Sequence, residues 1–135
     1  MPNMYYSGTR NNAPSEGTEQ ATLFSWAKMQ EHKWPELKLC FHIANGGSRG
    51  KAEAARFKAE GVKAGVPDLF LPVARGPYHG LFIEMKRRKG GRVSEEQKAW
   101  IAALRGQGYL AHVCRGWEEA ATLIAGYLDE RWYEI

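Results

Sequence analysis

Cysteine is scarce in this chain. Cys40 and Cys114 are the only two in 135 residues. They read as small buried hydrophobes in a reducing compartment, and two without close partners make no zinc site. Long apolar runs are absent: no stretch approaches the length of a membrane span, and no signal peptide is visible. Lipid and export are therefore not expected. Internal repeats and low-complexity segments are absent too, and nothing calls for an organic cofactor. What is present is ordinary for one globular domain with a modest core, 44% apolar and 25% charged. Acidic residues are outnumbered, 15 against 19 Lys and Arg, for a net charge of +4 and a pI of about 9.1. That balance leans toward a polyanionic partner, although many basic proteins bind no nucleic acid.

Taken in order, residues 1–14 lack periodicity and read as an irregular arm, with Tyr5-Tyr6 able to cover the core or a second subunit. Residues 15–135 form the domain. A helix follows Ser15, with Gln20, Leu23, Phe24 and Ala27 on one stripe. Glu19 falls on its apolar side, where it either favours the helix dipole or has a functional role. Glu16 competes for that role from a solvated helix start. Leu37, Leu39, Phe41 and Ile43 alternate with polar residues and predict a half-buried strand, with His42 facing away. Asn45-Gly46-Gly47-Ser48-Arg49-Gly50 is a turn suited either to phosphate contact or to simple flexibility. The next helix, 51–60, is expected to bury Ala54, Ala55 and Phe57 and to expose Lys51. Lys63 leads into a central hairpin whose turn leaves His79 exposed.

The hairpin is the centre of the chain. Gly65-Val66-Pro67-Asp68-Leu69-Phe70-Leu71 and Gly80-Leu81-Phe82-Ile83-Glu84-Met85-Lys86 carry charge where strands should be apolar. Side chains alternate faces along a strand, so Glu84 and Lys86 share a face. Pairing brings Asp68 at the entry of one strand near Glu84 at the exit of the other. Such a pair suits Mg²⁺, which takes one or two carboxylates plus substrate phosphate. Taken bare, the pattern also fits a structural ion pair. Arg87-Arg88-Lys89-Gly90-Gly91-Arg92 emerges beside it and can clamp phosphates. Ser94-Glu95-Glu96-Gln97 is a capping box. A helix burying Trp100, Ile101 and Leu104 follows, then a strand from Tyr109 to Cys114. The last helix, from Gly116 to about Arg131, turns Trp117, Ala121, Ile124 and Leu128 inward. Trp132 and Tyr133 suit burial or a partner surface.

Pro67-Asp68 with Glu84-Met85-Lys86 resembles the PD-(D/E)XK nuclease signature. The closer likeness is to the VRR-NUC family, the virus-type replication-repair nucleases. It runs from Gly61 to about Leu128 and includes Ser94-Glu95-Glu96-Gln97 and Gly116-Trp117-Glu118-Glu119-Ala120. The resemblance implies an α/β restriction-endonuclease-like core, a central mixed β-sheet flanked by helices. It implies a DNA endonuclease using Mg²⁺ or Mn²⁺, leaving a 5′-phosphate and acting on branched, junction or flap DNA. Asp68 and Glu84 would bind metal with the Met85 carbonyl and Glu19, and Lys86 would position and activate water. Gln97 would stand behind the metal ligands. Asn45 and Arg49 would touch substrate, and Lys51, Lys63, Arg87, Arg88, Lys89 and Arg92 are further candidates for nucleic-acid contact. A homodimer is expected, with Trp132, Tyr133 and the arm as candidate contacts. Stand-alone phage or bacterial members suggest a cytoplasmic setting in a bacterium or phage-infected host. The alternative is a non-catalytic DNA-binding module retaining the fold.

Overall fold

The computed structural model describes residues 13–44 and 50–132. The expected arm, apart from residues 13 and 14, lies outside the described residues, as do Asn45, Arg49 and Tyr133. The Ser15 hydroxyl accepts the Thr18 amide at 3.1 Å and opens helix α1, Glu16–Met29. Pro35 then opens a 3-10 turn, Pro35–Leu39, and strand β1 is only Phe41–His42. Helix α2 is Lys51–Ala59, strand β2 Leu69–Leu71 and strand β3 Leu81–Lys86. Helix α3 (Glu95–Gly106), strand β4 (Leu110–Arg115) and helix α4 (Trp117–Leu128) complete the chain.

The sheet order is β1-β2-β3-β4. The first three strands are antiparallel neighbours, and β4 runs parallel to β3 after the α3 crossover. This is a mixed sheet flanked by helices. Alternation sets its two faces. Leu69, Leu71, Leu81, Ile83 and Met85 join Leu23 and Ala27 of α1 and Ala120, Ile124 and Tyr127 of α4 in the core. Phe70, Phe82, Glu84 and Lys86 take the other face, where Phe70 stacks on Phe82 with centroids 4.2 Å apart. Among the described residues, no helix is long and apolar enough to cross a membrane.

Several expectations need correction. The alternation at Leu37–Ile43 does not give a full strand. Pro67 and Pro72 bracket β2 and offer no amide to a ladder, so β1 finds a short partner. Leu39 and Phe41 are left 53% and 49% exposed. Helix α2 buries none of its residues, so Ala54 and Ala55 are exposed and Phe57 is only half-covered. Of the α3 stripe Ile101 is buried, while Trp100 and Leu104 are half-buried. His79 is exposed, as expected, with its ring 5.8 Å from that of Tyr109. Trp132 is half-buried and packs edge-on against Tyr78 and Tyr127 of its own chain. The four inward residues expected of α4 are all buried.

Candidate active site

The β2–β3 hairpin delivers Asp68 to Glu84. Asp68 stands one residue before β2, and its Oδ2 accepts the Met85 amide at 2.6 Å. The Asp68 carbonyl is held from the other side by the Ile43 amide at 2.6 Å and by His42 Nδ1 at 2.7 Å. His42 is thus a support for Asp68 that its sequence position did not reveal. Gly65 makes the approach possible. Its φ is +90°, and a Cβ there would stand 2.7 Å from the Glu96 backbone at the start of α3. A Gly65→Ala variant should lose about 1–3 kcal/mol in urea unfolding, because both the conformation and the space are denied to alanine.

Glu84 is 2% exposed and Lys86 5% exposed, deep for charged side chains. Lys86 Nζ stands 3.7 Å from Glu84 Oε2, and Gln97 Nε2 donates to that same oxygen at 3.0 Å. Gln97 also closes the capping box, since its Oε1 accepts the Ser94 amide at 2.9 Å. One side chain therefore ties the α3 start to Glu84. Glu84 Oε1 is buried and has no hydrogen-bond partner among the described residues. Burial first, then the Asp68 carboxylate, push the Glu84 pKa up to about 8, partly offset by Lys86. An ionised pair here has the single charge of Lys86 against two negative charges. A hard cation between the two carboxylates supplies further positive charge, so the donor set fits a divalent ion bound by few protein oxygens.

The family resemblance implies that Glu19 joins Asp68 and Glu84; the structure gives its carboxylate other partners. Glu19 is fully buried, but its oxygens accept Arg88 Nε at 2.8 Å and the Trp117 amide at 3.0 Å. Among the described residues, no group of three or more His, Cys, Asp or Glu is arranged to hold a metal ion. Glu16 is the α1 carboxylate whose charge reaches Glu84 and raises its pKa further. A methyl placed on Gly91 would meet Glu16 Oε2 at 3.6 Å and Lys86 Cδ at 3.7 Å, so both groups flank that glycine. The available sequence signal was Ser15, whose cap fixes Glu16 at the first helical position.

The basic loop divides. Arg87, Lys89 and Arg92 are exposed, as are Lys51 and Lys63. Arg88 is turned inward onto Glu19 and Glu118. Arg115 braces the loop by donating to the Gly90 carbonyl at 2.6 Å and the Gly91 carbonyl at 3.1 Å. Nothing in the sequence around Arg115 singled it out. Arg88, Gly90, Gly91, Arg92 and Arg115 line an open recess of about 460 Å³.

A mixed sheet whose central hairpin gathers an aspartate, a glutamate and a lysine is the arrangement of PD-(D/E)XK nucleases, so the fold and site define a nuclease-family domain. The family model for the VRR-NUC domain matches residues 15–118. The chain belongs to the VRR-NUC family. A solved structure described as a VRR_NUC domain protein is similar to it at 34% identity, with a TM-score of 0.76. That match covers 87% of this chain and 91% of the other. No curated protein matches the chain.

Proposed function

We propose that this protein is a metal-dependent DNA endonuclease with its reaction centre at Asp68, Glu84 and Lys86. The observation that carries the reading is Glu84, buried beside Lys86 with one oxygen unpartnered among the described residues and with half-buried Asp68 close enough to raise its pKa. Asp68, Glu84 and the Met85 carbonyl would hold Mg²⁺ or Mn²⁺. The Met85 amide already points at Asp68, and a strand residue aims its N–H and C=O at the same neighbour. The bound ion would supply Lewis-acid stabilisation of charge on the phosphate. Lys86 orients and activates the attacking water on the face it shares with Glu84. Gln97 holds Glu84 in its rotamer. Glu16, rather than Glu19, is the helix carboxylate placed to act through water. Arg87, Lys89 and Arg92 grip flanking phosphates, with Lys51 and Lys63 further out. Cleavage leaves a 5′-phosphate.

A domain this small has little surface for reading a long sequence, which favours selection of branched DNA, such as flaps and junctions. Labelled linear duplex, single strand, 5′ flap and four-way junction, each with Mg²⁺, Mn²⁺ or EDTA, test both claims. Metal-dependent cutting with a preference for branched substrates is expected. Binding without cutting under every metal condition would instead favour a non-catalytic DNA-binding module.

The protein acts as a homodimer in this reading. Leu39 and Phe41 are half exposed, Met29 more so, and α2 has no buried residue. A second copy packed on Phe41 would cover part of this exposed apolar area and present two sites to two strands. Sedimentation at micromolar concentration should give a dimer, and Phe41→Glu should give a monomer. A monomeric wild type would exclude the dimer.

A further inference from the structure

We propose that Glu19 and Arg88 are positioning residues for the Lys86 end of β3, and that Glu19 holds no metal. The proposal rests on the nuclease reading above. Glu19 lies in α1, Arg88 two residues beyond Lys86, and Trp117 at the start of α4. The buried Glu19 carboxylate joins all three. Arg88 donates to it through Nε at 2.8 Å and through Nη2 at 3.4 Å, and the Trp117 amide donates at 3.0 Å. Arg88 also donates to Glu118.

The same knot holds the backbone of Lys86. The Lys86 carbonyl accepts the Gly116 amide at 3.0 Å. Gly116, at φ +86°, abuts Arg88: a Cβ there would stand 3.2 Å from Arg88 Cγ. Fixing Arg88 and Gly116 therefore fixes the chain on both sides of the bond that anchors Lys86. A planar guanidinium fork suits this task and a lysine does not. The charge count also argues against a phosphate contact. One guanidinium faces two carboxylates, Glu19 and Glu118, leaving no surplus positive charge at Arg88.

The test uses the full chain carrying Glu19→Gln, Arg88→Lys or Arg88→Gln, with folding checked by circular dichroism. Calorimetric titration with Mn²⁺, without DNA, reads metal binding. Cleavage of a fixed substrate over a range of NaCl concentrations reads kcat, KM and salt slope. A Glu19→Gln chain should bind Mn²⁺ within about twofold of wild type and lose about 10- to 100-fold in kcat, the cost of a misplaced reacting group. Arg88→Lys should lose a similar factor, with KM unchanged. Arg88→Gln should leave the salt slope intact, whereas removing a phosphate contact lowers it by about one.

Tenfold weaker Mn²⁺ binding in Glu19→Gln would make Glu19 a ligand and overturn the proposal. So would full rescue by Arg88→Lys, or a reduced slope in Arg88→Gln. If Glu19→Gln does not fold, the two Arg88 variants decide. A wild type that neither binds Mn²⁺ nor cuts DNA sinks the nuclease reading beneath, whereas loss of Mn²⁺ binding in Glu19→Gln alone sinks only this inference.

Discussion

Replacing Lys86 by alanine should lower the cleavage rate by on the order of 10³-fold while the fold survives. Lys86 is buried beside Glu84 and shares its sheet face, whereas its β4 neighbour Arg115 is committed to the Gly90 and Gly91 carbonyls. Its aliphatic stem lies near Gly91 and Glu16 and contributes little to the apolar core, which sits on the opposite face. Thermal unfolding should therefore stay cooperative. One side effect must be separated from catalysis. The Lys86 charge lowers the Glu84 pKa, so its loss would strengthen the proton on Glu84. The comparison belongs at about pH 9, where the wild-type carboxyl is mostly ionised. A Lys86→Ala protein as active as wild type would remove lysine from the mechanism.

The second large effect couples pH, metal and stability. Folding raises the Glu84 pKa from 4.5 to about 8, with burial the first cause and Asp68 the second. A carboxyl raised in this direction gives stability that is fully present below its unfolded pKa. That stability is lost as pH rises through the folded pKa. The metal-free protein should therefore weaken between about pH 5 and pH 8, by at most roughly 4 kcal/mol. In melting temperature that is a fall on the order of 10 °C. Mg²⁺ should restore most of it at alkaline pH and little at about pH 5, where a proton holds the site. Glu84→Gln should flatten the pH dependence, remove the Mg²⁺ response and abolish cutting. Differential scanning calorimetry across pH, with Mg²⁺ or EDTA, reads all three. A wild type whose melting temperature climbs with pH over this window would contradict the assignment of the proton to Glu84.

The parts of the fold that were legible in the sequence are those fixed by local rules. The alternation of β3 sets Glu84 and Lys86 on one face whatever surrounds them. The hairpin then brings Asp68 across, because β2 pairs with β3 from Leu69 onward. Ser94 and Gln97 announce a capping box, and the box leaves the Gln97 amide nitrogen free to reach Glu84. What could not be read depends on partners distant in the chain. Leu37 to Ile43 alternates well, yet two prolines around β2 limit what it can pair with. Glu19 and Glu16 both precede an apolar stripe, and only the Arg88 and Trp117 donors decide between them. The run from Arg87 to Arg92 reads as uniform positive charge, whereas the fold turns Arg88 inward and spends Arg115 on the loop's carbonyls. The exposure of α2 follows from tertiary packing, which helical periodicity alone does not report.

The most direct measurement is the anomalous scattering of crystals grown with Mn²⁺ at alkaline pH. A peak bonded to the carboxylates of Asp68 and Glu84 and to the Met85 carbonyl, with Glu19 still on Arg88, is the predicted result. No peak at that pair, or a peak seated on Glu19, would contradict it.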